Sequence, residues 1–333
     1  MTTKDLLKHR NVWMGIAMIW VIWYHSRLIP GFAPLRYLYT LGYGGVDIFL
    51  FASGIGCFLS LQKDPDPFRF LKRRFARLCP TYLCFILIWL AVRAIFEPMP
   101  ATAAIGNLLG IQNLTGHGND FNWYISALLI LYLLAPLFHS MILQIKKVRT
   151  HAAVIALLVL LSVPFWGEDN LIITVTRVPV FYVGMVFGSV CHRCETLPKA
   201  VISGALAALG TGCILIMAAF KLMNSHLWSL GLNWYPFILI TPGLCFAISW
   251  VMGQLDRFSI VRPIRRGLEF FGKNSFEFYL VHTLVFYGMD LVLYYYQIPA
   301  SIPVWLITFG TIFAGVFLLQ LLTQTVTRLF CRA

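Results

Sequence analysis

Apolar runs of bilayer-crossing length recur along the whole chain of 333 residues, and they constrain its fold more than any single motif does. The sequence is 59% hydrophobic and only 12% charged, about half the charge of an ordinary soluble domain. Because backbone polar groups in lipid must be paired within the protein, such runs form helices. We therefore predict an all-α polytopic membrane helix bundle, in which residues 1–333 form a single integral membrane domain. About ten transmembrane helices are predicted, over residues 12–27, 44–62, 78–96, 123–143, 151–166, 171–190, 200–221, 231–252, 274–297 and 303–327.

Basic residues are distributed unevenly between the connections of these helices. The connections after the second, fourth, sixth and eighth helices, together with both ends of the chain, hold 21 of the 26 Lys and Arg residues. Lys and Arg accumulate in the cytoplasmic loops of membrane proteins, so we expect both termini in the cytoplasm and an even number of helices. This topology also explains the net charge of +13. The predicted partner is therefore the lipid bilayer, and no nucleic acid is expected.

One apolar stretch does not fit the pattern of spans. Residues Ala101–Gln112 are too few to cross a bilayer, and Gly106 and Gly110 have the spacing that allows close helix packing. We predict a re-entrant or interfacial segment on the outer side.

Ionisable residues inside the predicted spans fall into two layers. Such residues are costly in a membrane and are usually functional or paired. From the helical rise of 1.5 Å per residue, the outer layer holds His25, Asp47, Arg93, Arg177 and Asp290. The inner layer holds Arg10, Arg73, Arg74, Arg77, Glu277 and His282, with His282 about 12 Å from the start of its helix.

His25 ends the first predicted helix at the depth at which Asp47 begins the second. Imidazole titrates near neutral pH, so His25 can act as a general base or an acyl carrier, with Asp47 orienting its ring. The alternatives are an interfacial histidine that hydrogen-bonds a loop, and a helix-capping role for Asp47. For Arg93, Arg177 and Asp290 the alternative to a functional role is a structural ion pair.

A cluster of arginines follows the second predicted helix. Arg74 and Arg77 are one turn apart and share a helix face, which presents two guanidinium forks to phosphate oxygens. Arg73 directly precedes Arg74 in sequence. The simpler alternative is that the cluster only sets topology.

Five motifs occur in order along nearly the whole chain. They are Ile16-Ala17 with Val21-Ile22-Trp23-Tyr24-His25; Gly44-Gly45-Val46-Asp47-Ile48-Phe49 with Ser53-Gly54; Phe70, Arg74, Arg77, Pro80 and Tyr82; Trp123-Tyr124-Ile125-Ser126 with Tyr132 and Pro136; and Gly272-Lys273-Asn274-Ser275 with Tyr279-Leu280-Val281-His282. In this order they resemble the acyltransferase-3 family of polytopic membrane O-acyltransferases, which modify sugars of bacterial surface polysaccharides and related envelope molecules.

The resemblance implies roles for individual residues. His25 is expected to be catalytic with Asp47, and the segment that carries Arg73, Arg74, Arg77 and Tyr82 is expected to bind acyl-CoA. Further polar residues are assigned to the acceptor or to structural contacts, namely Arg10, Ser53, Trp123, Arg177 and His282.

Two positions depart from the family pattern. The family usually has an arginine eleven residues before the histidine, where this chain has Met14, and Arg10 stands one turn earlier on the same face. A glutamate that often follows the Trp-x-x-Ser motif is also missing, since Ala127, Leu128 and Leu129 stand there.

These features predict a membrane O-acyltransferase that moves an acyl group, expected to be acetyl, from cytosolic acyl-CoA to a hydroxyl of an envelope glycan or lipid-linked sugar. The expected location is the bacterial cytoplasmic (inner) membrane, as a multi-pass protein. Acyl-CoA is a co-substrate, and no bound cofactor or metal is expected, since the CxxC pair Cys191 and Cys194 has no second pair.

The main alternative is a transporter or flippase of a small polar or lipid-linked substrate, with the buried charges as a relay. A membrane sensor domain is a further alternative. No inverted repeat relates the first five helices to the last five, which favours the enzyme.

Overall fold

A computed structural model of the protein describes residues 2–115, 121–221, 230–298 and 301–330. In this part of the chain the structure is helical and contains no strand. The α-helices are α1 Thr3–Lys8, α2 Arg10–His25, α3 Ala33–Thr40, α4 Gly45–Lys63, α5 Pro67–Phe96, α6 Ala101–Leu108, α7 Asn122–Gln144, α8 Val148–Leu160, α9 Asp169–Val175, α10 Val178–Arg193, α11 Lys199–Lys221, α12 Pro236–Leu255, α13 Val261–Lys273, α14 Ser275–Tyr296 and α15 Ile302–Phe330. Short 3-10 helices cover Leu41–Gly44, Gln112–Thr115 and Val163–Phe165.

The helices confirm the prediction of an all-α polytopic membrane bundle. Within the described residues, 9 helical segments are long and apolar enough to cross a membrane. They correspond to the second to tenth predicted spans. The first predicted span is α2, which has 16 residues and is largely buried between other helices.

Two predicted spans differ from the observed helices. The third begins at Pro67 rather than near residue 78, so the arginine cluster is itself helical. The sixth is broken between α9 and α10, at Thr176 and Arg177. Pro179 explains the break, because a proline has no N–H for the helical ladder and is tolerated only in a helix's first turn.

Close contacts at glycines fix how α2 lies against α13. A Cβ built on Gly15 would lie 1.9 Å from the carbonyl oxygen of Leu268, and one on Gly272 would lie 1.8 Å from that of Asn11. The two backbones therefore touch, and no larger residue fits at either position. As a result, the end of α13 lies against the first turns of α2, two residues before α14 begins at Ser275.

The same kind of contact joins α4 to α10. A Cβ on Gly54 would lie 2.3 Å from the carbonyl oxygen of Phe181, and one on Gly184 would lie 2.3 Å from that of Phe51. Asp47, Phe51 and Gly54 are spaced by four and three residues, so they share the face of α4 that meets α10. This packing directs Asp47 toward the start of α10.

Contacts at one end of the bundle join segments that carry many of the basic residues. The Thr3 amide donates to the Glu195 carbonyl at 2.9 Å, and Lys8 Nζ lies 2.7 Å from the carboxylate of Asp256. The amino terminus thus lies beside the connections 191–199 and 253–273. We call this the basic end, and its placement in the cytoplasm remains a prediction.

The topology prediction can be tested with single cysteines in a cysteine-free background. Lys72→Cys and Arg257→Cys should react with a membrane-impermeant thiol reagent only from the cytoplasmic side, because both side chains are exposed in the basic connections. Leu35→Cys is the matched control, exposed in α3, and should react only from outside. Labelling of Lys72→Cys from outside would contradict the assignment.

Asp256 provides a pH-dependent contact at the basic end. Its carboxylate accepts from Lys8 at 2.7 Å and from Arg265 at 3.2 Å. The hydrogen bond from Lys8 lowers the pKa of Asp256 below its ordinary value, and partial burial opposes this shift. A carboxyl with a lowered pKa contributes stability above its unfolded pKa, and loses that contribution as the pH falls through its folded pKa.

We therefore expect Asp256→Asn to lower the stability of the folded protein at neutral pH by about 1 kcal/mol or less. The difference between variant and wild type should shrink as the pH falls below the ordinary Asp pKa of roughly 3.9, and vanish only below the lowered pKa of Asp256 in the folded protein. Thermal unfolding of the wild type and of Asp256→Asn in detergent, across a pH series, measures this difference in stability. A difference that is equally large at acid pH would show that the charge of Asp256 has no part in it.

Candidate active site

Two cavities open into the bundle, one on each side of an aromatic partition. The histidine cavity has a volume of about 700 Å³ and is lined by His25, Arg177, Trp123 and Trp234 among others. The arginine cavity has a volume of about 380 Å³ and is lined by Arg10, Arg74, Arg77 and Lys273 among others. Tyr279 lines both cavities.

His25 and His282 meet at the histidine cavity. His25 Nδ1 lies 3.2 Å from His282 Nε2. Each histidine also places Nδ1 against the carbonyl oxygen four residues before it, His25 against Val21 at 3.0 Å and His282 against Phe278 at 2.9 Å. His282 is fully buried.

The predicted assignment of His25 and His282 to different layers is therefore wrong. The physical reason is that depth counted along each helix from its own start compares two helices only if both start at one level and run parallel. The contact between the rings shows that α2 and α14 do not meet this condition.

Asp47 pairs with Arg177, not with His25. Asp47 Oδ1 lies 3.7 Å from Arg177 Nε, and both side chains are at least 98% buried, with exposures of 2% and 1%. Within the described residues, Asp47 Oδ2 has no hydrogen-bond partner. The predicted His25–Asp47 contact is therefore wrong, because Asp47 lies on the face of α4 that meets α10.

Arg177 lies at the break between α9 and α10, with aromatic rings around it. Its guanidinium carbon is 5.2 Å from the ring centre of Trp123 and 4.8 Å from that of Trp234. Nη1 donates to the hydroxyl of Thr176 at 3.1 Å. A broken helix at membrane depth is tolerated where it lines a cavity, and Arg177 lines the histidine cavity here.

The arginine cavity collects positive charge. Arg10, Arg74, Arg77 and Lys273 line it, and Glu277 is the one carboxylate among its described lining residues. Arg74 Nη2 donates to the Gly56 carbonyl at 2.8 Å, and its guanidinium lies over the ring of Phe70. An excess of cationic donors in one partly enclosed site suits a polyanion.

Two residues assigned to the donor do not line the arginine cavity. Arg73 is exposed and donates to Asp64 at 2.6 Å, and the Tyr82 hydroxyl donates to the Asn107 carbonyl in α6. The physical reason is helical rotation, since each residue turns the side chain by about 100°. Arg73 therefore faces away from Arg74, its neighbour in sequence. Tyr82 holds the predicted re-entrant segment against α5.

Ser53 and Met14 both line the arginine cavity. Arg10 lines it as well, so a cation is present there although Met14 occupies the position of the family arginine. The alternative of structural ion pairs fits the remaining outer-layer charges, since Arg93 pairs with Glu97 and Asp290 pairs with Arg27.

An aromatic partition separates the cavities. The ring centres of Tyr124 and Tyr279 are 4.5 Å apart, and the Tyr279 hydroxyl donates to the Phe121 carbonyl at 3.1 Å. Trp234 lines the histidine cavity and Lys273 lines the arginine cavity, although the sequence predicts no role for either residue. Tyr279 lines both cavities and belongs to the last of the five motifs. For Lys273 and Tyr279 that motif was the available signal, whereas nothing in the sequence marked Trp234.

No group of three or more His, Cys, Asp or Glu side chains able to hold a metal occurs in the described residues. The structure is that of a multi-pass helical membrane protein in which a basic cavity adjoins a cavity lined by His25. The chain belongs to the acyltransferase-3 family: residues 11–322 match the family model described as an acyltransferase domain. The protein is therefore a membrane acyltransferase, which favours the enzyme over the transporter or sensor alternatives. Comparison with curated proteins and with solved structures finds no significant match.

Proposed function

We propose that the protein transfers an acyl group, of acetyl size, from acyl-CoA in the arginine cavity to a hydroxyl in the histidine cavity. The acceptor is an envelope glycan or lipid-linked sugar, and the enzyme lies in the bacterial inner membrane with both termini in the cytoplasm. The observation that carries the proposal is that the two cavities adjoin at Tyr279. A cytosolic anionic donor and an extracytoplasmic acceptor can thus reach one centre from opposite sides.

The positive charge of the arginine cavity supports acyl-CoA as the donor. The phosphates of CoA would accept charge-assisted hydrogen bonds from Arg74 and Arg77, whose planar guanidiniums match phosphate oxygens. Arg10 and Lys273 add positive charge to the same cavity. The pantetheine arm is a narrow chain of methylene and amide groups, and the proposal requires it to pass Tyr279, which lines both cavities. CoA is a co-substrate in this scheme, with no resident cofactor.

The reaction needs one base between the cavities. His25 takes the proton of the acceptor hydroxyl as that oxygen attacks the thioester carbonyl carbon. A C–O bond forms, the C–S bond breaks, and the electron pair of the C–S bond leaves on the CoA sulfur. The proton held by His25 then passes to that thiolate, so the products are an ester and the free CoA thiol.

The acceptor end rests on the residues around Arg177. Trp123 and Trp234 line the histidine cavity beside Arg177, so a sugar ring bound there would contact aromatic carbon. Arg177 offers N–H donors to a hydroxyl or to the developing oxyanion. The carboxylate of Asp47 pairs with Arg177 and so holds its side chain in place.

Arginine substitutions test the donor site. Arg74→Ala or Arg77→Ala should each weaken acyl-CoA binding by about 10- to 100-fold, because hydrogen bonds to charged groups contribute roughly 1.5–3 kcal/mol each. Lysine at either position should rescue binding only in part, since a point charge lacks the guanidinium fork. Binding of acetyl-CoA to the purified protein is measured by calorimetry.

Arg73→Ala is the matched control. It removes the same charge from the same helix, but Arg73 pairs with Asp64 outside the cavity, so binding should be unchanged. Equal losses for all three alanine variants would show a general effect of charge. No loss for Arg74→Ala and Arg77→Ala would remove acyl-CoA from the arginine cavity.

A further inference from the structure

The contacts of the two histidines fix where their protons lie. A carbonyl oxygen can only accept a hydrogen bond, so a ring nitrogen that bonds to it must carry the hydrogen. His282 Nδ1 lies 2.9 Å from the Phe278 carbonyl, and His25 Nδ1 lies 3.0 Å from the Val21 carbonyl. Both rings therefore carry a proton on Nδ1.

These protons define the direction of the bond between the rings. His282, protonated on Nδ1, presents the lone pair of Nε2 to His25 Nδ1 at 3.2 Å. The Nδ1–H of His25 is then shared between the Val21 carbonyl and His282. A neutral imidazole protonated on Nδ1 carries its lone pair on Nε2, so Nε2 is the basic atom of His25.

We propose that His282 is the positioning residue of the reaction: as a neutral acceptor it holds His25 in the tautomer whose Nε2 takes the acceptor proton. This inference rests on the proposed function. In many acid–base sites a carboxylate orients the histidine, but here Asp47 is committed to Arg177 at 3.7 Å. An imidazole fills the carboxylate's place.

The environment of His282 suits this role. The rings of Tyr279 and Phe286 lie 5.7 Å and 5.9 Å from its ring centre, and the side chain is fully buried. The ring is thus held in place from two sides. When His25 gains the acceptor proton, its Nδ1–H bond to His282 becomes charge-assisted and strengthens as the transition state forms.

The kinetic test compares three variants of the full-length protein, with acetyl-CoA as donor and an envelope glycolipid extract as acceptor. His282→Leu should lower kcat by about 10²-fold and leave KM for acetyl-CoA unchanged. His282→Gln should recover most of that loss, because its amide oxygen can accept from His25. His139→Leu removes another buried histidine, which contacts Gln62 and lines neither cavity, and should keep wild-type kcat.

Equal losses in the Leu and Gln variants, or an unchanged kcat in His282→Leu, would overturn the inference. A second measurement does not depend on acyl transfer. In protein labelled with ¹⁵N-histidine, the signal that His25→Gln removes should be that of an Nδ1-protonated neutral ring. If His25 is protonated on Nε2, the inference is overturned even if the enzyme is active. If His25 is protonated on Nδ1 but the protein transfers no acyl group, the result counts against the proposed function alone.

Discussion

His25→Gln is expected to abolish acyl transfer, with a loss of at least about 10³-fold in kcat, while binding of acetyl-CoA survives. Glutamine keeps a polar side chain of similar reach but cannot take a proton. The donor phosphates would lie in the arginine cavity, on the far side of Tyr279 from His25, so their contacts do not depend on the imidazole. Rates from labelled acetyl-CoA and binding by calorimetry on the same preparation separate the two quantities.

His139→Gln is the control for this loss. His139 is also a buried histidine, 6% exposed, but it lies on α7 and lines neither cavity. It should transfer acetyl groups at the wild-type rate. Wild-type transfer by His25→Gln would exclude His25 as the base, and a joint loss of transfer and acetyl-CoA binding would indicate misfolding.

The second large effect is expected at the buried pair of Asp47 and Arg177. Asp47→Leu leaves a buried guanidinium without its partner, and Arg177→Met leaves a buried carboxylate. Each single change should lower the free energy of unfolding by about 3–5 kcal/mol. The double variant should lose less than either one, because it removes both charges and fills the space with apolar atoms. The free energy of unfolding is measured in detergent for the wild type, the two single variants and the double variant.

An exposed pair provides the comparison. Arg27 and Asp290 are closer, at 2.9 Å, than Asp47 and Arg177, but their side chains are 72% and 36% exposed. Asp290→Asn should therefore cost about 1 kcal/mol or less. If the losses of Asp47→Leu and Arg177→Met simply add in the double variant, the two charges are not coupled.

The sequence was sufficient for the class of fold and for the placement of Arg74 and Arg77 in one cavity. Apolar runs report bilayer length directly, and Arg74 and Arg77 are separated by one helical turn, so their shared cavity follows from local geometry. His25 stands at the end of an apolar run, which sets its depth along its own helix.

Contacts between helices were not predictable in the same way. The meeting of His25 with His282 depends on how α2 and α14 are placed and tilted against each other, and no local pattern within either helix reports this arrangement. The partner of Asp47 depends on which face of α4 meets α10, and the hydrophobic pattern does not reveal this face because α4 is buried all round. The break at Arg177 had a local signal in Pro179, and the run of apolar residues around it concealed that signal.

In the proposed reaction, one site receives its donor from the basic end and its acceptor from the other end. Proteoliposomes that hold the protein in a single orientation can separate these two directions. Labelled acetyl-CoA is supplied on the side of residues 63–77, and an envelope glycolipid acceptor is present only on the opposite side. We expect labelled ester on the acceptor side with the wild-type protein. We expect none when the donor is supplied on the acceptor side alone, or when His25 is replaced by alanine. Labelled ester formed from a donor supplied only on the acceptor side, or by His25→Ala at the wild-type rate, would contradict the proposed reaction.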